Sequence, residues 1–157
     1  AEVAKQFFYA MMVDSADAWQ AVIDLHPDET LFVNRAKNRL AMHHLRNLKI
    51  DDARPIFEEL VLAGETEPDL VASGLAGRAV IASYDGHYEE SQEVIAERLL
   101  PLREYLSLDM ERLIRNTITR NRERSELEAL RSANRPSRHG LGRRNTSPRT
   151  AQNSKRT

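Results

Sequence analysis

The chain contains no cysteine, which excludes disulfides and thiolate metal sites and leaves stability to side-chain packing. No apolar run approaches the roughly 20 residues that a bilayer-spanning helix needs, and the first residues lack the basic start and apolar core of a secretory leader. A soluble, cytoplasmic product is expected. Strand-like alternation of apolar and polar residues is also missing. After Leu130 the apolar residues thin out, so of 157 residues about 125 are expected to fold, as one domain over 1–130. An opening Ala1 in place of Met fits a piece of a longer polypeptide.

Charge is divided unevenly. All 24 Asp and Glu lie in 1–130 with 15 Lys and Arg, whereas 131–157 holds eight Lys and Arg and no acid. A near-neutral chain is therefore a body of −9 joined to a tail of +8. The tail is rich in Ser, Thr, Asn and Arg, carries Pro136, Gly140, Gly142 and Pro148, and is predicted to be disordered because it cannot bury enough apolar surface. It has no aromatic residue for base stacking, so weak, unspecific attraction to nucleic acid or an anionic membrane is the most it supports. Arg143-Arg144-Asn145-Thr146 beside Ser147-Pro148 makes Thr146 and Ser147 candidate phosphosites, where a phosphate would lower the local positive charge.

What the body does have is a period. Segments beginning at Ser15, Ala53 and Ser91 recur every 38 residues, each opening with a small residue and carrying a large apolar one four positions later: Trp19, Phe57 and Ile95. A period of this size marks stacked helix pairs, each completing its neighbour's core. The helical faces follow. Val3, Phe7, Ala10 and Met11 share one face, with Asp14 as the expected N-cap of a second helix that buries Trp19, Val22 and Ile23 and stops at His26-Pro27-Asp28.

A third helix is predicted over Glu29 to Asn47, with Val33, Ala36, Leu40, Ala41 and Leu45 inward. The fourth should start near Asp52, bury Ala53, Ile56, Phe57, Leu60 and Val61, and hold Pro55 in its first turn. Gly64 is the expected C′ residue, and Thr66-Glu67-Pro68-Asp69 reads as a capping box for a fifth helix with Leu75, Ala79 and Ala82 at its seam. Asp85-Gly86 turns the chain into a sixth helix led by Tyr88, Ile95 and Leu99. A final helix from about Asp109, with Met110, Leu113, Ile114, Thr117 and Ile118 inward and a charged stretch from Thr119 to Glu126, should cap the array.

These residues resemble tetratricopeptide repeats over about 1–103. Ser15, Trp19, Val22 and Pro27 match the small-x3-large-x2-apolar-x4-Pro pattern of that family's second helix; Ala53, Phe57 and Leu60 match three of its positions, and Ser91 with Ile95 two. Leu40-Ala41 with His44, and Gly86-x-Tyr88, are similar to its first-helix elements. The period exceeds the family's usual length of about 34, which implies longer loops. The resemblance implies an all-α solenoid of about three helix pairs plus a cap, whose concave face binds a protein or peptide. Its groove positions fall on Arg35, Asn38, Met42, Leu45 and Arg46 in the second unit and Ser73, Ala76, Val80, Ser83 and Tyr84 in the third.

A narrower likeness runs through FFYAMMVDSADAW (Phe7 to Trp19) and SGLAGRAVIASYDGHYEES (Ser73 to Ser91). Both are similar to the helical-repeat region that follows the kinase domain of some large bacterial serine/threonine kinases. That likeness implies a regulatory, non-catalytic portion that recruits substrates or a second copy of itself. The phosphate loop, strand lysine, His-Arg-Asp and Asp-Phe-Gly motifs of a kinase core are absent.

Nothing else in the sequence points to catalysis, a cofactor or a metal. Adjacent His43 and His44 diverge by about 100° on a helix and cannot chelate one ion as an i, i+4 pair would. Asp51-Asp52, Glu58-Glu59 and Glu89-Glu90 fall at helix starts or outward faces, where the helix dipole and water favour them. Gly140-Leu141-Gly142 has neither the strand nor the helix of a phosphate cradle.

Overall fold

In a computed structural model, which describes residues 1–136, every regular element is helical. The tail from residue 137 onward, with Thr146 and Ser147, lies outside the described residues. In chain order the α-helices are α1 (Glu2–Val13), α2 (Ala16–Leu25), α3 (Thr30–Arg46), α4 (Ile50–Val61), α5 (Pro68–Tyr84), α6 (Tyr88–Glu93) and α7 (Leu108–Ala133). Each packs on the next in sequence as far as α6. In addition α1 meets α3, α3 meets α5, and α7 lies against α5 and α6.

The 38-residue period is a structural repeat between the second and third pairs. Helices α3 and α5 are both 17 residues long and start 38 residues apart. Their C-termini end in the same Schellman arrangement. Lys49 N donates to His44 O and Leu48 N to Leu45 O, as His87 N does to Ala82 O and Gly86 N to Ser83 O. Ala53 and Ser91 are each the fourth residue of their helices. The first pair departs from this register, because only Asp14 and Ser15 join α1 to α2 and Ser15 stands just outside its helix.

Buried side chains form two clusters. Trp19, Val22, Ala10, Ala36 and Leu40 hold the first pair to α3, with the Phe7 ring edge-to-face on Trp19 and Phe32 at 5.3 and 5.4 Å. The larger cluster runs from Leu45 and Phe57 through α5 to Ile95, Leu99, Met110 and Ile114. Trp19, Phe57 and Ile95 are all buried, as the period predicts.

Several local expectations are corrected. Ser15, not Asp14, caps α2, its side chain accepting from Ala18 N at 3.2 Å. Asp14 instead closes α1 in the left-handed region (φ 47°) and accepts the indole N–H of Trp19 at 2.9 Å. Met11 is exposed, since Val3 and Ala10 already fill the covered side of α1. Because α4 starts at Ile50, Pro55 sits in its second turn, where it has no N–H to donate to the Asp51 carbonyl; both residues are exposed.

The expected capping box does not form. Pro68 takes the first helical position and disfavours helical geometry at Glu67, which is the N-cap residue (φ −130°, ψ 62°) with no side-chain cap bond. Glu67 accepts instead from Asn34 Nδ2 at 3.2 Å. The sixth helix leaves α geometry after Glu93, running as a π-helix over Val94–Leu99 and a 3-10 helix over Leu100–Tyr105. Pro101, within it, has no N–H to continue the ladder. In α7 the outward stretch is interrupted by Asn121, which is buried, and the helix continues three residues past the expected boundary at 130.

Candidate functional site

The outer stripe of α3 is set by its spacing. Arg35, Asn38, Arg39, Met42 and Arg46 recur at intervals of three and four and therefore share one face, away from buried Val33, Ala36 and Leu40. That stripe forms one wall of a cleft of about 290 Å³, to which Phe7 of α1, Ser73 of α5 and the start of α7 at Ser107 and Asp109 also contribute. Five of the ten groove positions expected from the sequence (Arg35, Asn38, Met42, Arg46 and Ser73) are thus brought together.

Polar groups in the cleft are partly engaged. Ser73 Oγ donates to Asn38 Oδ1 at 2.5 Å, which fixes the Asn38 amide and leaves its Nδ2 without a protein acceptor among the described residues. Arg35 pairs with Asp69 at 3.1 Å and Arg46 with Asp14 at 3.8 Å. Arg39 is exposed and has no ion-pair partner among the described residues. Phe7 and Met42 supply half-buried apolar surface. The cleft therefore presents three guanidinium groups against one carboxylate, that of Asp109, and a free amide donor around an aromatic ring and a thioether.

The third-unit positions are corrected. Val80 is 1 % exposed and belongs to the cluster that includes Met110 and Ile114, and Ala76 is fully buried. Both leave the groove because α7 packs on α5 and covers the face expected to be open. Ser83 and Leu45 are buried as well. Tyr84 remains exposed but lies outside the cleft, with the Arg120 guanidinium 4.2 Å above its ring.

The sequence reading did not find the ion pairs that tie the second pair to the third. Arg54 binds Asp85 at 2.8 Å, and Arg78 donates to Glu58 through Nε at 2.9 Å and through a second, short contact. Hydrogen bonding from Arg78 holds the Glu58 carboxyl below its ordinary range, and Arg54 does the same for Asp85. Such carboxylates stay ionised, the reverse of what a general acid needs. His44 is lowered, chiefly by burial, against the opposing pull of Asp52. Its Nδ1 is buried with no partner among the described residues. Among those residues no group of three or more His, Asp or Glu side chains is placed to hold a metal, and no helix is long and apolar enough to cross a membrane. Compared with family models, curated proteins and solved structures, the chain matches none.

Proposed function

We propose that this chain is a non-catalytic protein-interaction module, a tetratricopeptide-like solenoid whose cleft receives an extended, acidic peptide bearing one apolar side chain. The observation that carries the proposal is the convergence of Arg35, Arg39 and Arg46 with Met42 and Phe7 on one cleft. Guanidinium groups recognise carboxylates by charge-assisted, bidentate hydrogen bonds. Arg39, exposed and without an ion-pair partner among the described residues, is the anchor for such a group, while Phe7 and Met42 receive the apolar side chain. The amide donor of Asn38, oriented by Ser73, is available to a peptide carbonyl. The repeated α3–α4 and α5–α6 pairs supply the rigid frame such recognition requires.

The test is selection of a random peptide library on the native chain and, in parallel, on the Arg39→Glu/Met42→Asp variant. Enriched peptides should carry net negative charge with one apolar residue and should lose affinity for the variant by at least about tenfold. Equal enrichment on both proteins would overturn the proposal.

A further inference from the structure

We infer that a second, separate pocket, between the irregular end of the third helix pair and α7, binds an aliphatic carboxylate: a small molecule with a hydrocarbon chain and one negative charge. The pocket has a volume of about 230 Å³ and shares no lining residue with the cleft. Its wall is aliphatic, built from Ile95, Leu99, Leu100, Leu106, Ile114 and Ile118. Leu100 is 60 % exposed and Ile118 36 %, so apolar surface stands open to water at the mouth.

The rim carries charge of one prevailing sign. Arg103 Nη2 and Arg115 Nη2 both reach the same oxygen of Glu111, at 3.2 and 3.0 Å. Among the residues that line the pocket, one carboxylate thus faces two guanidinium groups, each with five N–H donors, which leaves the lining with a surplus of positive charge. An aliphatic wall below a surplus guanidinium is complementary to a chain ending in a carboxylate. A cation would be repelled, and a neutral head group would leave the charge unanswered.

The pocket also lies where the chain leaves its own repeat. In the second pair the corresponding stretch, 38 residues earlier, is the end of α4 and a turn. In the third pair it is the π-helix over Val94–Leu99 and the 3-10 helix that follows. Departures of this kind from α geometry concentrate at functional sites. Here the departure sets Leu99, Leu100 and Leu106 opposite Ile114 and Ile118 of α7.

The experiment is calorimetric titration of the native chain with decanoate below its micellar concentration, beside decyltrimethylammonium as a probe of equal chain length and opposite charge. Saturable binding of decanoate is expected, with the cation weaker by at least about tenfold. Arg103→Gln/Arg115→Gln, which changes only exposed side chains, should abolish that preference, and Arg39→Glu in the cleft should leave it intact. Methyl NMR shifts at Ile95, Ile114 and Ile118 should follow the decanoate titration in the native chain. Equal binding of both head groups, loss on Arg39→Glu, or no saturable binding of decanoate would each overturn the assignment.

Discussion

The ring of Phe57 lies against the α-carbon of Gly77, so close that a Cβ at position 77 would fall among the ring atoms. Phe57 is fully buried, and this contact is how α4 and α5 reach van der Waals distance. Gly74, one turn earlier, is held the same way, since a Cβ there would meet Val61 N at 2.7 Å. Two glycines in a helix interior cost about 1 kcal/mol each relative to alanine. That cost is offset by close approach, of Gly77 to the Phe57 ring and of Gly74 to the α4 backbone at Phe57 and Val61.

Gly77→Ala should therefore destabilise the chain by roughly 1–3 kcal/mol although alanine is the better helix former. Phe57→Ala alone should cost roughly 3–5 kcal/mol. In the double variant the alanine at 77 has room, so the two losses should fall well short of additive in urea denaturation. Strict additivity would mean that the ring and the glycine do not touch.

Leu48 and Gly86 occupy the same position of the repeat and both have positive φ, 56° and 83°. For leucine that conformation is strained by about 1–2 kcal/mol, offset in part by the greater unfolded-state freedom of glycine. Leu48 is 66 % exposed, so little packing is lost on its replacement. Leu48→Gly should stabilise by roughly 0.5–1 kcal/mol and Gly86→Leu should destabilise by roughly 1 kcal/mol. Thermal melts of the two variants should move in opposite directions.

Asn121 ties α7 to the third pair. Its Nδ2 donates to Ser91 Oγ at 2.9 Å and to Gln92 Oε1 at 3.2 Å, while Ser91 Oγ donates to Ala79 O at 2.7 Å. Removing one partner of a buried bond leaves the other's desolvation unpaid. Ser91→Ala should therefore cost roughly 1–3 kcal/mol, and adding Asn121→Ala should add less than its separate effect.

The pH dependence has a definite sign. The His44 value is depressed in the folded chain by burial, so the unfolded chain binds the proton more readily. Stability is full above the unfolded value of 6.5 and is lost as pH falls through the folded one. Glu58 and Asp85 are also depressed, by Arg78 and Arg54, so their contribution is full above unfolded values of 4.5 and 3.8 and is lost at lower pH. In urea midpoints measured from pH 7.5 to 3, His44→Phe should remove the decline that begins near 6.5 and leave the acid decline in place.

Helix number and most core positions were legible in the sequence because a buried stripe repeats at helical spacing. Val33, Ala36, Leu40, Ala41 and Leu45 all face inward as that spacing predicts. What was not legible depends on neighbours distant in sequence. Val80 has the spacing of a groove residue, but that it is covered is decided by α7, a helix some 30 residues later. The ion pairs Arg54–Asp85 and Arg78–Glu58 span 31 and 20 residues and leave no periodic trace. The π-helix left only Pro101 as a signal.

The cleft is tested most directly by NMR mapping of a selected acidic peptide on the native chain. Amide and side-chain shifts at Arg35, Asn38, Arg39, Met42 and Arg46, extending to Ser73 and Phe7, are expected to saturate together. Saturable shifts confined to other faces, with those residues unmoved, would contradict a binding role for the cleft.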